Sequence, residues 1–95
     1  MNRNMKKTTK QPYPYTATIK VFGKVYKSMG YTIQQALDNL TVGGKIGGAS
    51  ILSISNGKET KDKVLNINQA NRLFSSSRLI KEVAIKNLSL LFGNL

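Results

Sequence analysis

The chain has no cysteine, no histidine and no tryptophan in its 95 residues, and only four acidic side chains, Asp38, Glu59, Asp62 and Glu82. Without cysteine there is no disulfide framework and no thiolate centre, a composition that suits a reducing compartment. Without histidine, a zinc site would have to be assembled from carboxylates alone. A nucleophilic serine would also lack an imidazole to activate it, so "SSS" at 75–77 reads as a helix break with a cap. Glu59 and Asp62 stand among Lys58, Lys61 and Lys63. That is the setting of a solvated hairpin rather than of a carboxylate pair enclosed in a cleft. There is no run of 18 apolar residues to span a bilayer. The basic start "MNRNMKKTTKQPYP" is followed by no apolar segment, so it does not read as a secretory signal. These absences lead to the expectation of a non-enzymatic protein with no metal and no cofactor. It would be cytoplasmic, or in the virion if phage-encoded.

What is present is positive charge. Fifteen Lys and Arg face the four acids, giving a net charge of +11 and a pI near 10.2. Lysine, asparagine and isoleucine are all frequent, as AT-rich coding favours. The same bias would raise glutamate, however, and glutamate is scarce. Acid depletion is therefore the informative half of the imbalance, and it favours a polyanionic partner.

Residues 1–12 carry Arg3, Lys6, Lys7 and Lys10 with no acid and only two large apolar groups, Met1 and Met5, the composition of a disordered basic tail. Residues 13–95 read as a single α+β domain. Tyr15, Ala17, Ile19 and Val21 alternate with Thr16, Thr18 and Lys20, predicting a strand with one buried face. Gly23-Lys24 suits a two-residue turn. In that register Lys20 faces Lys27 and Phe22 faces Val25 on the outer side, while Tyr26 and Ser28 turn inward. Thr32 with Gln35 forms a capping box for a helix over "TIQQALDNL", with Gly43-Gly44 as its stop. A third strand follows at Ser50–Ser55. Asn56-Gly57 then signals a second hairpin, whose register the alternation leaves open. A helix starts near Asn68, and after Ser76 or Ser77 a last helix runs from Arg78 to about Phe92. Its expected apolar stripe is Ile80, Val83, Ala84, Leu88 and Leu91. The segment "GKVYKSMGYTIQQALDNL" aligns with "GKETKDKVLNINQANRLF" at an offset of 34, each copy a hairpin feeding a helix. The order β-β-α-β-β-α implies a four-stranded antiparallel sheet with helices packed on one face, its other face left to solvent or a partner.

"GGKIGG" at 43–48 fits no phosphate-binding glycine pattern and leads into a strand, not a helix; it reads as a loop. The sharpest constellation is Lys20, Phe22, Lys24 and Lys27. A sheet face mixing lysines with an exposed aromatic is how several modules hold single-stranded nucleic acid, by base stacking and phosphate contact. Arg78, Lys81 and Lys86 on the last helix are candidates for contacts to a nucleic-acid backbone or a membrane surface.

Residues 15–40 resemble the opening of HicB-type antitoxins through "YTATIKVFG", Ser28, Gly30, Thr32, Ala36 and Leu37. The resemblance covers about a quarter of the chain. The remainder departs from it, because HicB-like proteins tend to be acidic in this region and no separate DNA-binding module follows here.

The residues themselves lead to a small basic nucleic-acid-binding protein, acting mainly through phosphate contacts by Arg3, Lys6, Lys7, Lys10, Lys20, Lys24, Lys27, Arg78, Lys81 and Lys86, with Phe22 as the stacking group. The alternative is an interaction or assembly protein of the kind carried by phages and other mobile elements. It would bind an acidic protein surface or self-associate as a homo-oligomer, burying Phe22 and the terminal "LLFGNL".

Overall fold

A computed structural model describes residues 13–42, 47–93 and 95. The tail residues Arg3, Lys6, Lys7 and Lys10, and the expected glycine stop at 43–44, lie outside them. Strands β1 (Tyr15–Val21), β2 (Lys24–Gly30), β3 (Ser50–Ser55) and β4 (Thr60–Leu65) form one antiparallel sheet in the order β2-β1-β3-β4. Helices α1 (Ile33–Asn39), α2 (Ile67–Leu73) and α3 (Arg78–Phe92) complete the α+β architecture expected from the sequence. The inner face of the sheet supplies Ala17, Ile19, Leu52, Ile54 and Leu65, and the helices supply Ala36, Leu37, Ala70, Leu73, Leu88 and Phe92, all to one buried cluster.

The strand order is symmetric about the β1–β3 contact, since each hairpin places its first strand at the centre. The 34-residue sequence echo is sharpest at the helices. Thr32 and Asn66 are both N-caps, accepting hydrogen bonds from the amides of Gln35 and Gln69. Ala36 and Ala70 are both fully buried. Gln69 closes a reciprocal capping box with Asn66, which starts α2 at Ile67, slightly before the expected Asn68. In α1 the matching Gln35 Oε1 accepts instead from the amide of Tyr31. Helix α1 ends at Asn39, with Leu40 extended and fully buried, so the turn into the core stops it before the glycines are reached.

Two details correct the sequence reading, and the second hairpin supplies a register that the sequence left open. The first hairpin turns at Phe22-Gly23, one residue earlier than expected, so Lys20 faces Val25 and Lys27 faces Thr18. Residues keep their faces, but the two lysines become diagonal neighbours, which separates like charges. The second hairpin has a four-residue loop, Asn56–Glu59, closed by the amide of Asn56 on the carbonyl of Glu59 and by Asn56 Oδ1 accepting from the amides of Lys58 and Glu59. Leu52 therefore faces Lys63, and Ile51 faces Val64.

The second correction concerns α3. Its buried arc is Ala84, Ile85, Leu88 and Phe92, whereas Ile80, Val83 and Leu91 of the expected stripe are roughly half exposed. The helix is apolar around well over half its circumference, so periodicity alone cannot choose which arc is buried. Packing against both α1 and α2 makes the choice.

Arg78 ties the start of α3 to α1. Its Nη1 lies 2.7 Å from Asp38 Oδ1, and its Nε lies 3.0 Å from Glu82 Oε2. The hydrogen bond and charge of Arg78 hold the Asp38 carboxyl below the usual carboxylate range, against the opposing effect of burial, and Lys81 adds to the lowering. A carboxyl whose pKa is depressed on folding stabilises above its unfolded pKa, and loses that contribution as pH falls through its folded value. Asp38→Asn should therefore lower the urea midpoint slightly at neutral pH, since the pair is largely exposed. The gap to the parent should close on titration below the ordinary carboxylate range. A gap that persists there would mean Asp38 acts by packing and not by charge.

Candidate nucleic-acid interface

Among the described residues, no helix lies on the outer face of the sheet. Three strand-to-strand rows cross it, read directly from the register. Val25, Lys20, Ile51 and Val64 form the row nearest the Phe22 turn; Lys27, Thr18, Ser53 and Asp62 form the middle row; Met29, Thr16, Ser55 and Thr60 form the far row. The near row is apolar except for Lys20 at its interior. Val25, Ile51 and Val64 are all exposed, Val64 at 73%. Lys27 begins the middle row and Asp62, the one acid on this face among the described residues, ends it at the opposite sheet edge.

Phe22 stands at the end of this face. It is the only described non-glycine residue with a left-handed backbone, φ 49°, and Gly23 beside it has φ 78°. Positive φ at both central positions is the geometry of a type I′ turn, which favours Asn-Gly because a side chain with a bulky Cβ substituent crowds the backbone there. An aromatic in that conformation costs on the order of 1–3 kcal/mol. Burial does not offset it, because Phe22 is 76% exposed. One side of the ring leans over the backbone at Gly47 and Gly48, where a Cβ on Gly48 would come within 3.0 Å of the ring tip.

The predicted residues fall into separate groups. Lys20, Phe22 and Lys27 come together on the outer face and its turn. Lys24 is paired with the buried Val21 and by strand alternation points to the helix side. Arg78, Lys81 and Lys86 lie on α3, across the sheet from Lys20. Arg78 already meets two carboxylates, which makes it the least available of the three for phosphate. Sequence reasoning missed Ile51, Val64 and Met29 as outer-face residues. Ile51 was legible from alternation with the buried Leu52. Val64 needed the register of the second hairpin.

Among the described residues there is no cluster of three or more His, Cys, Asp or Glu side chains that could hold a metal ion, and no helix is long and apolar enough to cross a membrane. Compared with known protein families, with characterised proteins and with solved structures, the chain has no significant match, so the resemblance of residues 15–40 extends no further.

Proposed function

We propose that the protein binds single-stranded nucleic acid across the outer sheet face, with Phe22 as a stacking platform and Lys20 and Lys27 meeting phosphates. The observation that carries this reading is Phe22 itself. An aromatic held in a strained turn and left exposed costs stability and returns none through the core, so its use lies in what it meets from outside. The net charge of +11 supplies long-range attraction to a polyanion, and Arg3, Lys6, Lys7 and Lys10 add to it in sequence.

The test separates turn strain from ligand contact. Phe22→Asn gives the turn its preferred residue, so the melting temperature should rise. Affinity for a labelled oligothymidylate should fall by about 1–3 kcal/mol, the worth of one stacked base. Lys20→Thr with Lys27→Thr should weaken binding at least about tenfold at moderate salt, about 1.4 kcal/mol, without loss of fold. If both variants bind as the parent does, the outer face is not the site.

A second reading rests on the aliphatic near row. Val25, Ile51 and Val64 offer methyl groups and no further aromatic, a surface that also suits a protein partner. Under that reading Phe22→Asn would leave oligonucleotide binding intact and abolish an oligomer or complex seen by sedimentation.

A further inference from the structure

We propose that the groove between α2 and α3 is a docking site for an acidic amphipathic helix of a partner protein. The inference goes beyond nucleic-acid binding and uses neither Phe22 nor Lys20 nor Lys27.

The exposed arc of α3 carries Ile80, Val83, Asn87 and Leu90, spaced three, four and three residues apart. This is the a/d spacing of a helix–helix seam. Leu79 and Leu91 border it, and Leu79 and Leu90 are 73% and 71% exposed. Such a run on one face is not the scattered exposure normal for soluble surfaces. Together with Gln69 and Arg72 of α2, Ile80, Val83 and Asn87 frame a concave groove floored by Ala84 and Leu88. A concave channel between two helices fits a third helix laid along it. Asn87 interrupts the apolar run midway. A single polar residue within an apolar seam is the kind of feature that sets register between helices.

Charge chooses the occupant. Among the described residues, Arg72 lines the groove and no acid does. Lys86, one turn from both Val83 and Leu90, flanks the exposed arc on the side towards α1, outside the groove itself. Glu82 is turned to Arg78. A second copy of this chain would bring Arg72 and Lys86 towards like charges, on molecules that each carry +11. A helix with glutamates or aspartates flanking its apolar stripe answers both cations.

The probe is a synthetic labelled helix with leucines at a/d spacing and glutamates flanking them, titrated into the full chain. Its comparison is a scrambled peptide of identical composition. The amphipathic peptide should bind at least about tenfold more tightly, with amide shifts concentrated in α2 and α3. Val83→Arg should weaken it at least about tenfold despite adding positive charge. Leu79→Arg, at a still more exposed position, provides the same test should Val83→Arg fold poorly. Phe22→Asn should leave peptide binding unchanged, so failure here is distinct from failure of the nucleic-acid site. Equal binding of scrambled peptide, or binding unchanged or strengthened by both arginine variants, would overturn the proposal in favour of bulk charge. A dimer of the parent chain that Val83→Arg or Leu79→Arg dissociates would assign the groove to a second copy. Uptake on anionic vesicles that depends on Val83 or Leu79, without peptide binding, would assign it to membrane.

Discussion

Gly30→Ala is expected to cost at least about 3 kcal/mol, a large share of the stability of a chain this small. Gly30 is the buried last residue of β2, and α1 lies directly on it. A Cβ there would come within 2.8 Å of the carbonyl carbon of Gln35 and 2.9 Å of Cα of Ala36, all of it backbone that no rotamer change can move. The helix cannot simply lift away. Ser28 Oγ donates to the carbonyl of Ala36 at 2.6 Å, and Asn39 Nδ2 donates to the carbonyl of Met29 at 2.9 Å, pinning α1 to β2 on both sides of the contact. Gly30 does not adopt a left-handed backbone, so an alanine would be conformationally acceptable and, by restricting the unfolded chain, would stabilise by about 0.4–1 kcal/mol if space allowed. The sign of the change in a urea titration therefore isolates the clash. A cost below about 1 kcal/mol would mean that α1 is not seated as described.

Phe92→Ala should cost about 3–5 kcal/mol, and Leu91→Ala less than about 1 kcal/mol. These neighbours differ in the arc of α3 they occupy: Phe92 is fully buried, whereas Leu91 is 48% exposed. Phe92 also sits where the chain end is tied back to the sheet. The amide of Leu95 donates to the carbonyl of Phe92, and the Tyr15 hydroxyl donates to the carbonyl of Leu95 at 3.0 Å. Loss of the ring would leave a cavity beside this closure. The comparison directly measures the rotation of α3, because the apolar stripe expected from sequence places Leu91 inside and omits Phe92. Equal costs at both positions would refute the observed arc.

The fold was legible wherever a local rule had one solution. Alternation gave β1, and caps were legible for two helices: Thr32 for α1, and Ser76 or Ser77 for α3, of which Ser77 accepts from the amide of Ile80. Errors arose where two local solutions were close in energy. Gly23-Lys24 and Phe22-Gly23 both make two-residue turns, and only the sheet as a whole selects between them. On α3, Leu91 and Phe92 are equally apolar, so what decides is the shape of the α1–α2 surface, which no single segment encodes. The candidate site was half legible. Lys20, Phe22 and Lys27 were found from one strand pair, while Ile51 and Val64 belong to the other hairpin and join them only through the β1–β3 register. The strain at Phe22 does not show in a turn centred on Gly23-Lys24, one residue away.

The symmetric strand order has a consequence for solubility. It puts β2 and β4 at the two edges of the sheet, each with a row of backbone groups that, among the described residues, pairs with no further strand and that another strand could meet. Both are guarded in the same way. Lys24 and Lys27 stand on β2, Lys61 and Lys63 on β4, and five of the six residues of β4 are exposed. Two copies meeting edge to edge would bring these lysines towards one another. Part of the positive charge thus works against fibre-like growth, and it directs any association of this protein away from its strand edges and onto its faces.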